Sequence, residues 1–78
     1  MIRKTEKLLI TFHTTTAAMA MESLCKAQGA DGRIIPVPNS ISADCGLAWC
    51  AKPESEDALR LLMARHGIEV QGFHHCLI

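Results

Sequence analysis

Four cysteines and four histidines carry most of the chemistry this 78-residue chain could do. Cys45 stands out among them. It sits in Asn39-Ser40-Ile41-Ser42-Ala43-Asp44-Cys45-Gly46, a polar stretch between two short apolar runs. Free cysteines are commonly buried small hydrophobes. A thiol on a loop, with a glycine beside it so that a partner can approach the backbone, is placed to act as a nucleophile. The plain alternative is a loop cysteine with no chemistry.

The remaining candidates are weaker. Cys25 falls on the apolar face of a helical pattern and reads as core filling. Cys50 lies five residues past Cys45 along a strand, roughly 16 Å if extended. A disulfide needs Cα atoms within about 7 Å, so the two are not expected to bridge. His74-His75-Cys76 hints at metal, and with Cys50 it would make a weak thiol and imidazole cluster. It lacks the paired ligand spacing of structural zinc sites, and the expectation is a fraying tail. His66 falls at a helix C-terminus, where it complements the dipole. No glycine-rich phosphate loop, Ser-His-Asp order or carboxylate pair is present.

The elements that must position Cys45 follow from periodicity. Lys7 to Phe12 alternates as a strand. Thr14, Thr15 and Thr16 offer N-caps for a helix that runs to Gln28 and stops at Gly29. Met21, Leu24, Cys25 and Gln28 share one of its faces. Gly32 to Val37 reads as a second strand, marked as an edge by Pro36 and Pro38. Gly46 to Ala51 is a third. Pro53 to His66 is a second helix, started by Pro53, Glu54, Glu56 and Asp57 and closed by Gly67. Ile68 to Phe73 completes the set as a fourth strand.

This order is βαββαβ, the split βαβ pattern of ferredoxin-like domains. It predicts an α+β two-layer sandwich: a four-stranded antiparallel sheet in order 4-1-3-2 with both helices on one face. Another two-layer sandwich of the same elements is the alternative. The whole chain, 1–78, reads as a single domain.

That topology puts the Cys45 loop, His13 and the N-terminus of the first helix at one end of the sheet. The first turn of this helix carries no acid, so its N–H groups can receive an outside anion. A thiolate at Cys45 would suit it, with His13 assisting proton transfer and the Gly46 N–H as a further donor. Asp44 opposes a second negative charge beside it.

Eight Lys and Arg balance eight Asp and Glu. That neutrality argues against a nucleic-acid binder and against an electrostatic membrane binder. No segment is long enough to span a bilayer. The basic start (Arg3, Lys4, Lys7) before Leu8-Leu9-Ile10 resembles a signal peptide, but its apolar run is too short. The expectation is a cytoplasmic protein with reduced cysteines and no cofactor. The sheet face away from the helices would carry Leu9, Thr11, Ile35 and Val37 and one register of the third strand. Such a face suggests a homodimer or a docking surface.

Several segments together resemble one family. These are Leu9-Ile10-Thr11-Phe12-His13-Thr14-Thr15, Ala18-Met19-Ala20-Met21-Glu22, Gly32-Arg33-Ile34-Ile35-Pro36-Val37-Pro38, Ile41-Ser42-Ala43-Asp44-Cys45-Gly46-Leu47 and Gly67-Ile68-Glu69-Val70. The chain resembles small bacterial domains described as selenium/sulfur carrier-like, over about Lys7 to Phe73. The Pro-x-Pro followed by Ile-Ser-x-x-Cys-Gly is the most specific part. The resemblance implies that Cys45 is a carrier thiol, bearing a persulfide or a selenium species between donor and acceptor proteins. Members often have Arg after the second proline, where this chain has Asn39. The alternatives are a non-catalytic binding or dimerisation module and a thiol/His metal binder.

Overall fold

The computed structural model describes residues 5–41 and 43–77. Arg3, Lys4, Ser42 and Ile78 therefore lie outside the described residues. Among the described residues, β1 (Glu6–Thr11), α1 (Thr15–Gln28), β2 (Arg33–Pro36), β3 (Leu47–Ala51), α2 (Glu56–His66) and β4 (Gly72–Leu77) follow in order. A single 3-10 turn, Pro53–Ser55, leads into α2. The sheet order is β2-β3-β1-β4 with every pairing antiparallel. This is the ferredoxin-like α+β sandwich that the element order predicts.

Strand alternation divides the sheet into two faces. Leu8, Ile10, Trp49 and Ala51 face the helices. They join Phe12 and Ala18, Met21 and Cys25 of α1, and Leu59 and Met63 of α2, in one buried cluster. Residues on the opposite face follow from the register: Leu9 sits between Cys50 and His74, and Thr11 between Ala48 and Gly72. Leu9, Thr11 and Ala48 in the middle of that face are fully buried within the chain itself. Among the described residues the exposed large apolar side chains, Met19, Leu61 and Leu77, are scattered rather than gathered there.

Each helix is bounded by its own side chains or backbone. Thr14 is the N-cap of α1, its hydroxyl accepting the Ala17 N–H at 3.1 Å. At the far end the Gly29 and Ala30 N–H groups both reach the Cys25 carbonyl. The strands start and stop within a residue or so of their expected limits, except the last.

β4 begins at Gly72, four residues later than its alternation predicts. The Gly67 and Ile68 N–H groups are spent on the Met63 carbonyl, closing α2. Ile68 and Val70 instead pack against the core from an irregular segment. The chain joins β1 only where the Gln71 N–H meets the Thr11 carbonyl at 2.7 Å. His74, His75 and Cys76 are accordingly not a frayed tail. They pair with Leu9, Leu8 and Lys7.

A polar clasp fixes β4 to α2. Glu56 accepts from Arg60 and meets His75 Nε2, each at 2.8 Å, and the Arg60 guanidinium lies 3.7 Å over the Phe73 ring. This holds the C-terminal strand on the helix layer.

Candidate thiol site

Cys45 closes the loop between β2 and β3. Val37 and Gly46 extend the hairpin by one bond, the Val37 N–H to the Gly46 carbonyl at 3.0 Å. Gly46 has φ +76, a left-handed conformation that favours glycine. Its N–H donates to the Ala43 carbonyl at 3.2 Å, tightening the turn. That N–H is therefore engaged within the loop rather than directed at the sulfur.

The N–H that does reach Cys45 belongs to Leu47, at 3.4 Å from Sγ. The thiol in turn donates to the Leu47 carbonyl at 3.5 Å. The sulfur is thus acceptor in the first contact and donor in the second. The side chain is half-buried and packs against the edge of the core, on the same side of the hairpin as Leu47. Cys50, five residues on, points to the other face.

His13 follows directly from β1 through Phe12, and the antiparallel pairing places it beside the Cys45 loop. Its Nδ1 lies 2.8 Å from Asp44 Oδ2. A carboxylate only accepts, so Nδ1 carries the proton and the neutral ring keeps Nε2 as a base. The Asp44 N–H is held by Gln71 Oε1 at 3.0 Å. Three segments, the end of β1, the Cys45 loop and the start of β4, are thus fastened together at one residue. Asp44, expected only to oppose a thiolate, orients His13. Gln71 gave no signal in the sequence, because its role depends on where the irregular 68–71 segment runs.

The threonines are divided differently. Thr14 spends its hydroxyl on the α1 cap. Thr15 and Thr16 are exposed. Thr14 and Thr16 line an open groove of about 290 Å³ with Ala17, Gly67, Ile68 and Glu69. Cys45 does not line it. Glu69 lines the same groove, beside a helix start whose first turn has no acid of its own.

A family described as "Putative Se/S carrier protein-like" matches residues 7–75. The chain belongs to this family. No curated protein and no solved structure matches it significantly.

In this carrier-like protein the four cysteines are all free and occupy three different settings. Cys25 is buried under α1, and burial pushes its thiol pKa up. Cys50 is nearly buried on the open face. Cys76, across β1 from it, is raised by burial first and by the neighbouring Cys50 second. No cluster of three or more His, Cys, Asp or Glu among the described residues is arranged to hold a metal ion. His75 is turned to Glu56 and Glu6, away from Cys50 and Cys76. No helix among the described residues is long and apolar enough to cross a membrane.

Proposed function

We propose that the protein is a sulfur or selenium relay in which Cys45 carries the cargo. The observation that supports this reading is a partly buried thiol bonded to a backbone N–H, next in the chain to the carboxylate that orients the His13 imidazole. Family membership points the same way.

Each step balances without an added oxidant. The Cys45 thiolate attacks the outer sulfur of a donor persulfide. The Cys45 sulfur–sulfur bond forms, the donor's breaks, and the donor leaves as a thiolate that takes up a proton. An acceptor thiolate then attacks the same outer sulfur and Cys45 departs as the leaving group. A selenium atom on a donor would move by the same exchange.

His13 Nε2 takes the thiol proton before attack and returns one to the leaving group. Asp44 fixes its tautomer. The Leu47 N–H stabilises the sulfur anion in both steps. A relay needs no enclosed pocket, only an accessible thiol that two partner proteins can reach in turn.

The deciding experiment is intact mass before and after incubation with a persulfide donor, for the wild type and Cys45→Ser. One added sulfur on the wild type, removed by reductant and absent from the variant, upholds the reading. No adduct, or equal adducts on both proteins, overturns it in favour of a binding module in which Cys45 merely lines a loop.

A further inference from the structure

The far end of β3 holds a second feature, on the other sheet face and independent of Cys45. An open groove of about 280 Å³ is bounded by Lys7 of β1, Asp31 and Arg33 at the start of β2, and Cys50 and Lys52 at the end of β3. The register explains the convergence. Arg33 stands directly opposite Cys50, Lys7 directly opposite Cys76, and Lys52 follows β3 beyond the last paired residue.

The charge there is unbalanced. Three cations meet one carboxylate, in a chain whose formal net charge is zero. That carboxylate is already engaged: Asp31 Oδ2 accepts the Lys52 N–H at 2.8 Å and the Ser55 hydroxyl at 3.1 Å. Among the described residues, none of the three cationic side chains forms a salt bridge. Elsewhere the basic side chain of Arg60 has found its partner in Glu56.

The groove's wall is backbone fixed in one conformation. Gly32, on its wall, has φ +123, and a Cβ there would collide with the Trp49 ring and lie 2.8 Å from the Cys50 carbonyl. One carboxylate offsets only part of three like charges, and an anion between them lowers the remaining repulsion.

We infer that this groove binds a phosphate-sized dianionic oxyanion, held by Lys7, Arg33 and Lys52. Arg33 supplies a planar fork suited to two oxygens, and the two lysines supply point charges. The ligand is either the free oxyanion or the exposed end of a small phosphate monoester.

The test is a titration of the full-length isotope-labelled protein, at low ionic strength, with inorganic phosphate and separately with O-phosphoserine. Backbone amide shifts of Gly32, Arg33, Cys50, Ala51 and Lys52 are followed. Saturable shifts confined to these residues are expected, weakened by at least about tenfold in an Arg33→Gln/Lys52→Gln variant and by added salt. Equal affinity for the two probes assigns the free oxyanion, and tighter O-phosphoserine assigns the monoester. A Lys26→Gln variant, altered on the exposed end of α1, keeps wild-type affinity. The same spectra show whether each variant is folded. Absence of saturable shifts with both probes, or shifts equally strong in the Arg33→Gln/Lys52→Gln variant, overturns the inference. Cys45→Ser binds phosphate as the wild type does, so a failed carrier reading leaves this result untouched.

Discussion

His13 Nδ1 and Asp44 Oδ2 are 2.8 Å apart, although the residues are 31 positions apart in the chain. The pair is about half exposed on both sides. It therefore adds little to folding, roughly 0–1 kcal/mol for so exposed a contact. Its consequence is orientation: it points one ring nitrogen into the carboxylate and leaves the other for a proton.

Asp44→Asn separates these two roles. The amide keeps the shape but no longer enforces the tautomer. Thermal stability stays within about 1 kcal/mol of the wild type. The rate of sulfur uptake from a persulfide donor falls by up to about 100-fold, the lower range for a positioned acid–base group. A time course of intact mass, with a melting curve on the same sample, checks both. Unchanged uptake would remove His13 and Asp44 from the mechanism.

The four thiols differ in burial. Cys25 and Cys50 are buried, and Cys76 is held protonated to higher pH by burial and by Cys50. Limited alkylation of the native protein near pH 8 modifies Cys45 first and Cys76 next. Cys25 reacts only after unfolding. Peptide mapping at increasing times gives the order directly.

Two glycines respond unequally to alanine. At Gly46 an added Cβ meets no atom within 4 Å, so Gly46→Ala costs only the left-handed conformation, about 1–2 kcal/mol. That lowers Tm by roughly 4–8 °C per kcal/mol in a domain of this size. Gly32→Ala adds a collision with Trp49 and the Cys50 carbonyl to a backbone at φ +123 that L side chains rarely adopt. It is the more damaging of the two in a thermal melt.

Acid loosens the clasp between α2 and β4. Arg60, then His75, hold the Glu56 carboxyl below its ordinary value near 4.5. A carboxyl whose pKa is lower in the folded state gives its full stability above the unfolded value. That contribution is lost as pH falls through the folded one. Asp31 behaves alike, held down chiefly by the Lys52 N–H. Melting temperature should drop below about pH 4.5, and more shallowly in Glu56→Gln. Identical pH profiles for the two proteins would show that the clasp carries no pH dependence.

The legible parts of this molecule are those where periodicity and capping agree. Thr14 and Gly29 delimit α1 because a hydroxyl and a left-handed closing residue each have one local role. The paired prolines mark β2 as an edge because proline has no N–H to donate, and the sheet order places it there. Ile68 and Val70 misled because alternation cannot tell a strand from an irregular stretch that buries alternate side chains. Which N–H the Cys45 loop offers the sulfur is not legible in the sequence, because the turn's internal bond engages the Gly46 N–H and leaves that of Leu47 for Sγ. The closeness of His13 to the cysteine loop followed from topology alone, while its bond to Asp44 is a matter of side-chain reach.

Trp49 is the only tryptophan in the chain. Its Nε1–H donates to the Asp31 carbonyl at 3.0 Å, and its ring lies against Gly32 with only 2% of its surface exposed. Nature has thus placed a single fluorophore directly behind the basic groove, with its dipole fastened to the groove's wall. Its emission will be blue and its quenching by dissolved agents slow. Any ligand that shifts the Asp31–Gly32 backbone will report itself optically, without a label.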